Sequence, residues 1–347
     1  MNNRERGEKI RYQIVRDVRH HPTDISKHIA KIFSITPQAV NNHIKRLEKE
    51  GWLKSSGSGK GKRYFLGDLR EYKSLFPLAE EFTEDIVWRN HFSFVFDGLP
   101  ENLVDICQYG FTEMVNNVID HSGGEHVYIS AIRDKDKIMI FVIDDGEGIF
   151  RKIKRLCALS DERQALFELS KGKLTTDPDN HTGEGIFFTS RAFDEFEIES
   201  RGMKFSHDDN FEFDCILESN ISKNEVGTAV YMLIRRDSNR DIQAIFDEFA
   251  GPDEFQFNKT VIPVRLAQYG NEKLVSRSQA KRLLVRIERF RYVIFDFEGV
   301  SSIGQAFADE IFRVYANNHP NIVLLPDKMA PNVEKMVKRA ISSRQVK

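Results

Sequence analysis

The chain has 347 residues, of which 40% are hydrophobic and 30% are charged, and its formal net charge is −2. This composition is typical of a globular protein of two or three domains and excludes a largely disordered chain. Because no run of about 18 apolar residues occurs and the first residues have no apolar core, we expect neither a membrane span nor a signal peptide. The widely spaced Cys107, Cys157 and Cys215 have no metal-ligand spacing, which indicates reduced thiols in a cytoplasmic protein.

The charge is unevenly distributed. Residues 1–66 contain 15 Lys and Arg against 6 Asp and Glu, a balance of +9, so the rest of the chain carries −11. A basic N-terminal module on an acidic body indicates one localised contact with a polyanion.

The first 66 residues have the pattern of a winged helix-turn-helix. Apolar residues at helical spacing over 7–20, and the segments ISKHIAKIFS and QAVNNHIKRLEKEG, predict three helices. The third helix has Thr36 as its expected N-cap, Pro37 at its first position and Gly51 at its end. The basic, glycine-rich SSGSGKGKR and the strand-like RYFL complete a wing. This arrangement resembles many bacterial transcription regulators.

That resemblance implies a DNA-binding surface. It places Gln38, Asn41, Asn42 and Lys45 at the major groove, and Lys60, Lys62 and Arg63 at phosphates or the minor groove. The alternative is a winged helix that binds another protein. The basic third helix and wing favour DNA.

The middle of the chain predicts an α/β sandwich. Residues 67–95 are mixed and partly helical, and we interpret them as a connector that packs on the next domain. Residues 96–235 form that domain, which begins with the helix LVDICQYGFTEMVNNVID. The alternating segments HVYISAI and IMIFVID predict strands. A polar, irregular segment follows over 150–181, and then a helix at 185–193 and strands near FEIES, FEFDCIL and TAVYMLI.

Residues 236–258 are interpreted as a linker before a domain of another character at 259–347. Apolar strand-like segments alternate there with helical ones, which predicts a largely parallel sheet with right-handed crossovers. We therefore expect a multidomain protein with an α+β and α/β fold.

Four short motifs carry the candidate chemistry. On the predicted helix, Glu113, Asn117 and Asp120 lie on one face, where an Asn oxygen suits Mg²⁺ and a carboxylate can act as a general base. The segment VIDDGEGI places Asp144 at a strand end beside Gly146 and Gly148. The other two motifs are HTGEGIFF, with Thr182, Gly183 and Gly185 before a helix, and GTAVYM, with Thr228.

The order and spacing of these motifs resemble the GHKL ATPase superfamily (Bergerat fold), which includes gyrase, histidine kinases and anti-sigma-factor serine kinases. The resemblance implies ATP and Mg²⁺ as cofactors, with Glu113 as general base and Asn117 as Mg²⁺ ligand. It further implies that Asp144 binds adenine beside Gly146 and Gly148, and that Thr228 supports adenine through water. Thr182, Gly183 and Gly185 would hold phosphates, and residues 150–181 would form a lid.

The glycine motif followed by FDEF is most similar to the anti-sigma-factor kinases, although His181 stands where several of them have Arg. Glu113 and the absence of a phosphoacceptor histidine motif argue against a histidine kinase. His121 also matches their pattern, although a His that ends a helix is more often structural.

Residues 259–347 resemble the STAS-like antagonists that such kinases phosphorylate. Gln305 and Ala306 replace the phosphorylated Ser at the helix start. Ser301 and Ser302 lie in the preceding turn, where serines usually act as caps. This domain is therefore expected to be a sensing or docking module for a protein partner.

The sequence thus predicts an ATP-binding, DNA-binding regulator. Two alternatives stay open: an anti-sigma-factor-type protein serine/threonine kinase, and an ATP-gated dimeric clamp in genome maintenance or phage defence. The resemblance does not decide whether ATP is hydrolysed or its phosphate is transferred to a protein. It also does not decide whether the protein is a monomer or a homodimer.

Overall fold

A computed structural model of the chain describes residues 3–174, 183–208, 215–218, 226–250, 257–268 and 272–343. Three hydrophobic cores organise these residues: one in the N-terminal region, one in the middle and one in the C-terminal region. Within these ranges, no helix combines the length and the apolar character needed to cross a membrane.

The N-terminal region is a winged helix. It consists of three helices and a two-stranded antiparallel wing: α1 (Asn3–Asp17), α2 (Ile25–Phe33), α3 (Pro37–Lys49), β1 (Leu53–Ser56) and β2 (Arg63–Leu66). The predicted caps of α3 are confirmed, since the Thr36 hydroxyl accepts a hydrogen bond from the Ala39 N–H at 3.2 Å. Gly51 ends the helix with a φ of 86°, a left-handed conformation that favours glycine.

The described residues of the middle region form a seven-stranded antiparallel sheet in the order β3-β4-β5-β9-β6-β7-β8. Its strands are β3 (Arg70–Pro77), β4 (His126–Arg133), β5 (Lys137–Asp144), β6 (Glu195–Ser200), β7 (Met203–Asp208), β8 (Cys215–Glu218) and β9 (Ala229–Arg235).

Helices share the middle hydrophobic core with this sheet. They are α4 (Glu84–Val87), a π-helical turn (Trp88–Phe92), α5 (Ser93–Phe96), α6 (Glu101–His121), α7 (Ile149–Leu156), α8 (Glu162–Lys171), α9 (Gly185–Ala192) and α10 (Ile242–Phe249). The long helix α6 buries an apolar stripe that includes Cys107, Phe111 and Val115, because these residues recur every four positions. Its polar face therefore remains available to form a site.

The C-terminal region has a three-stranded parallel sheet in the order β10-β11-β12. The strands are β10 (Lys259–Pro263), β11 (Tyr292–Asp296) and β12 (Val323–Asp327). Its helices are α11 (Arg277–Leu284), α12 (Gln305–Asp309), a π-helical turn (Glu310–Tyr315), α13 (Ala316–Asn318) and α14 (Pro331–Ser342). The predicted alternation of parallel strands and helices is confirmed.

Three sequence-based interpretations need correction. The predicted connector 67–95 contains the strand β3, which pairs with β4, whereas its helical part, with Trp88 and Phe92 buried in the middle core, agrees with the expected packing on the next domain. The segment 150–181 is not irregular, since α7 and α8 occupy most of its described part. The predicted linker 236–258 contains the amphipathic α10, whose apolar residues enter both neighbouring cores.

Candidate functional site

A cavity lies between the polar face of α6, the end of β5, β9 and the helices α7, α8 and α9. Seven of the nine residues predicted to form the nucleotide site line it: Glu113, Asn117, Asp144, Gly148, Gly183, Gly185 and Thr228. They come from four motifs that are far apart in the chain. The folded chain therefore brings the sequence motifs to one place.

Asp144 is the most buried acidic group of this cavity, with 8% of its surface exposed. Its Oδ1 accepts a hydrogen bond from the Gly146 N–H at 2.8 Å, so Gly146 supports the carboxylate without lining the cavity. Burial raises the pKa of Asp144 above its usual value, although the hydrogen bonds from Gly146 and Thr228 act in the opposite direction. A desolvated carboxylate held in this way is a strong acceptor for an N–H donor of a ligand.

The strand β9 enters the site beside Asp144. The Asp144 N–H donates to the Thr228 carbonyl at 3.0 Å, and the Thr228 hydroxyl accepts from the Ile149 N–H at 3.0 Å. Gly227 has a φ of 92°, and a β-carbon there would collide with the Asp144 carbonyl. The glycine before Thr228 is thus required for the close approach of β9 to β5.

Glu113 lies against the first turn of α9. A β-carbon at Gly185, the first residue of α9, would collide with the Glu113 carboxylate. Gly183 precedes it with a φ of 71° and approaches the Leu174 backbone. The glycines therefore let the N-terminus of α9 reach the cavity, where backbone N–H groups can bind an anion.

Asn117 lies one turn after Glu113 and also faces the cavity. Its side-chain amide nitrogen is buried and has no hydrogen-bond partner among the described residues. A buried amide without a partner costs about 1–3 kcal/mol, so a bound ligand that contacts this group would recover free energy. Among the described residues no cluster of three or more His, Cys, Asp or Glu side chains could hold a metal ion by itself. A Mg²⁺ ion at Asn117 would therefore need oxygens from the ligand, which is how Mg²⁺ commonly binds with phosphates.

Sequence reasoning missed Lys152, which lines the cavity from α7. Its Nζ donates to the His121 carbonyl at 2.6 Å, and burial lowers its pKa. Lys152 comes three residues after Ile149 and one before Ile153, two apolar cavity residues on the same helix. That helical spacing is the sequence signal for Lys152, and the polar composition of the segment obscures it.

The remaining cavity wall is apolar. It is formed by Met114, Val118, Ile149, Ile153, Leu169, Leu174, Ile186, Ile198 and Val230. A wall of this kind beside one buried carboxylate suits a flat, mostly apolar ring with a polar edge. Thr182 and His181 lie outside the described residues, as does the end of the predicted lid.

The residues predicted to contact DNA divide into two groups. Gln38, Asn42 and Lys45 on α3 and Arg63 on the wing are exposed. Asn41 is half-buried instead, and its side-chain oxygen accepts a hydrogen bond from the Ser26 hydroxyl at 2.6 Å, so it joins α3 to α2. Nothing is described of the Lys60 side chain.

Lys62 is also less free than the sequence predicts. Its Nζ lies 3.4 Å from the Glu48 carboxylate and 4.7 Å from the centre of the Tyr64 ring. Because Glu48 lies on α3, this lysine forms an ion pair between the wing and the third helix. The exposed Lys54 on β1 is a basic wing residue that the prediction omitted.

Two buried arginines hold the segment of the middle region that contacts the winged helix. Arg70 at the start of β3 donates to the Phe94 and Asp97 carbonyls at 2.7 and 2.8 Å. Arg133 at the end of β4 donates to the Asp97 carbonyl at 2.9 Å, and burial lowers its pKa to about 10. The Asp97 carboxylate pairs with Arg19 of the winged helix at 2.8 Å. The contact with the winged helix thus consists of this half-exposed ion pair and of Phe94, which packs against the winged-helix core.

In the C-terminal region, Ser301 and Ser302 are exposed in the turn before α12, which begins at Gln305 with Gly304 as its N-cap. Ala306 follows within the first turn. The prediction that no hydroxyl occupies the helix start agrees with these positions.

Comparisons with known proteins cover the two ends of the chain. Residues 11–63 match the MarR family, and residues 279–334 match the STAS-like domain of unknown function (DUF4325). A search among curated proteins gives no match. Neither family match extends to the residues of the cavity. The chain therefore carries a MarR-type winged helix at its N-terminus and a STAS-like domain at its C-terminus.

Proposed function

We propose that the protein is a DNA-binding regulator in which Mg-ATP, bound in the cavity of the middle region, controls the winged helix. One observation carries the ATP assignment: residues from four separate sequence motifs, in the order found in GHKL ATPases, line a single cavity. A chance set of turns and caps would have no reason to converge in this way.

The donors and acceptors in the cavity fit the parts of ATP. Asp144 would accept a hydrogen bond from the adenine amino group, and the apolar wall would contact the ring faces. Thr228 supports Asp144 and would support the adenine through water. The N-terminus of α9 with Gly183 and Gly185 would bind phosphates, together with Lys152. Asn117 would hold Mg²⁺ through its side-chain oxygen, with the phosphates completing the coordination.

Glu113 is suited to activating a hydroxyl or water. It lies one turn before Asn117 on α6 and against the first residue of α9, so it would stand beside the phosphate end of the nucleotide. A carboxylate there can accept a proton from the attacking oxygen. This role fits ATP hydrolysis and phosphate transfer to protein equally well, and the first is the simpler proposal because Gln305 and Ala306 occupy the start of α12.

The winged helix supports the DNA-binding half of the proposal. Its similarity to the MarR family agrees with the basic balance of residues 1–66 and with the exposed polar side chains of α3. Gln38, Asn42 and Lys45 would enter the major groove, while Arg63 and Lys54 would contact the backbone. Two copies held in a dimer would bind a two-part site.

Strand β4 connects the surroundings of the cavity with the contact to the winged helix. At its first residue, the His126 N–H donates to the Asp145 carboxylate at 2.9 Å, beside the cavity. At its last residue, Arg133 donates to the Asp97 carbonyl, and the Asp97 carboxylate pairs with Arg19 of the winged helix. A strand of eight residues spans about 26 Å and is stiff when paired on both sides. A change around Asp144 would therefore reach the winged helix through paired backbone.

Calorimetry with Mg-ATP tests the nucleotide assignment. We expect the parent protein to bind, and Asn117→Ala to bind more weakly because the Mg²⁺ ligand is lost. Asn102→Ala is a matched control on the same helix, since Asn102 donates to the Ser238 and Arg240 carbonyls and lies outside the cavity. Parental affinity in Asn117→Ala, or no binding by the parent protein, would refute the assignment.

A further inference from the structure

Helix α8 contacts both the cavity and the STAS-like domain. On one side, Leu169 and the following Leu174 line the cavity. On the other, Arg163 donates to the Gln268 carbonyl at 2.9 Å. The helix is thus a shared wall between the candidate nucleotide site and the C-terminal region.

A buried ion pair strengthens this contact. Glu168 and Lys171 are each only 2% exposed, and their charged groups lie 2.7 Å apart. The Lys171 Nζ also donates to the Val285 carbonyl at 2.8 Å, and the Lys171 carbonyl accepts from the Thr260 hydroxyl at 2.7 Å. Val285 and Thr260 both belong to the C-terminal region, so Lys171 is held there by its side chain and by its backbone.

The chain after α8 makes a further reciprocal contact. The Arg289 guanidinium donates to the Lys173 carbonyl at 2.5 Å, and the Lys173 Nζ donates to the Arg289 carbonyl at 3.4 Å. The Lys173 ammonium lies 5.5 Å from the Phe257 ring centre and 5.3 Å from that of Phe290. This segment leads directly to Leu174 in the cavity.

Helix α9 is held by the same region. Its first residue, Gly185, lines the cavity, and Phe187 and Phe188, in the same turn, pack among aromatic rings of the C-terminal core. The ring centres of Phe187 and Phe188 lie 4.8 and 4.9 Å from that of Phe257. The proposed phosphate-binding end of α9 is thus fixed by aromatic packing with the C-terminal region.

We infer that the STAS-like domain controls the nucleotide site, because it holds the two helices, α8 and α9, that form one wall of the cavity. This inference rests on the proposed function. A change in the C-terminal domain that moves β10 or Val285 would move α8, and hence the affinity for ATP would change. Coupling of this kind is reciprocal, so ATP must also stabilise the C-terminal contacts. The STAS-like domain would then act as an internal regulator of ATP binding.

Two variants remove contacts between α8 and the C-terminal region without leaving an unpaired buried charge. Glu168→Leu with Lys171→Leu replaces the ion pair by apolar side chains of suitable size, an exchange that is often tolerated. Arg163→Ala removes the hydrogen bond to the Gln268 carbonyl. Lys281→Ala is the control, since this exposed lysine belongs to the same C-terminal domain and pairs with Glu310 at 3.8 Å. Circular dichroism without nucleotide would establish that each variant is folded.

The measurement combines calorimetry with hydrogen exchange on the full chain. In the parent protein, a non-hydrolysable ATP analogue should slow exchange in the peptides that contain residues 257–268 and 277–290. The double variant and Arg163→Ala should bind the analogue about 5- to 150-fold more weakly, while Lys281→Ala binds like the parent. Parental affinity in both variants together with unchanged exchange in these peptides would overturn the inference. If the parent protein itself binds no nucleotide, that result refutes the proposed function and, because the inference rests on it, the inference as well.

Discussion

Replacing Asp144 by Asn should have opposite effects on nucleotide binding and on the stability of the free protein. An Asn oxygen can still accept the Gly146 hydrogen bond, which measures 2.8 Å in the structure. The adenine amino group, however, would lose a charged acceptor. Hydrogen bonds to charged groups contribute about 1.5–3 kcal/mol, which corresponds to a loss of about 10- to 150-fold in affinity for ATP.

The free protein should become more stable, because burial raises the pKa of Asp144 above the unfolded value of 3.8. An acid whose pKa is raised in the folded state makes folding less favourable above that raised pKa. The destabilisation disappears as the pH falls to the unfolded value, where the carboxyl is protonated in both states. The stability gain of Asp144→Asn should therefore be present at neutral pH and vanish on acidification towards pH 3.8.

The adjacent Asp145 provides a control, because its substitution by Asn should change the stability of the free protein in the opposite direction. It accepts hydrogen bonds from the Glu125 and His126 N–H groups at 2.8 and 2.9 Å, which lower its pKa, and it lies outside the cavity. Asp145→Asn should bind ATP like the parent protein and lose stability at neutral pH. Calorimetry and urea unfolding between pH 4 and 7 would measure both effects. If Asp144→Asn binds ATP normally, or if its free form is less stable than the parent at pH 7, the reasoning about this carboxylate is wrong.

Three further predictions concern turnover, DNA and phosphate transfer. Glu113→Gln should keep ATP binding but lower turnover about 10²-fold or more in a phosphate-release assay, and unchanged turnover would exclude it as the base. Arg63→Ala should reduce the slope of the logarithm of the DNA-binding constant against the logarithm of salt concentration by about one. Lys135→Ala is the control and should leave this slope unchanged, since the Lys135 side chain is 81% exposed in the β4–β5 turn. Mass spectrometry after incubation with ATP should find no stoichiometric phosphate on Ser301 or Ser302, and its presence would favour the kinase alternative.

The parts of the fold that sequence predicted best are those with local chemical signals. Thr36, Pro37 and Gly51 mark the ends of α3 because caps and left-handed turns depend on neighbouring residues alone. The motifs around Asn117 and Asp144 could be assigned to one site only through a resemblance, since nothing local shows that α6 and β5 meet.

Strand β3 was missed because it lies at the edge of the sheet. Among the described residues it has one neighbouring strand, and its polar and apolar residues do not alternate regularly: Ser74 lies between the half-buried Tyr72 and Phe76, and Leu75 is exposed. An edge strand of this kind has a weak period-2 pattern. The linker helix α10 had a clearer signal, since Ile242, Ile245 and Phe249 recur at helical spacing.

Helix α8 was missed for a different reason. Charged residues such as Glu168 and Lys171 are expected to face solvent. Both are instead buried as an ion pair against the C-terminal region. Burial of a charge pair depends on a partner more than 100 positions away, here the Val285 carbonyl at a separation of 114. Only the folded chain reveals such a contact, and it is the contact on which the coupling of the two domains depends.

The DNA affinity with and without a non-hydrolysable ATP analogue tests the central claim most directly. Fluorescence anisotropy would use DNA selected from a random library, with the parent protein and Asp144→Asn measured in parallel. We predict that the analogue with Mg²⁺, at a concentration that just saturates the parent protein, changes the DNA affinity of the parent protein by about 5- to 150-fold, and changes that of Asp144→Asn less. Equal DNA affinity of the parent protein in both conditions, at saturating analogue, would contradict control of the winged helix by ATP.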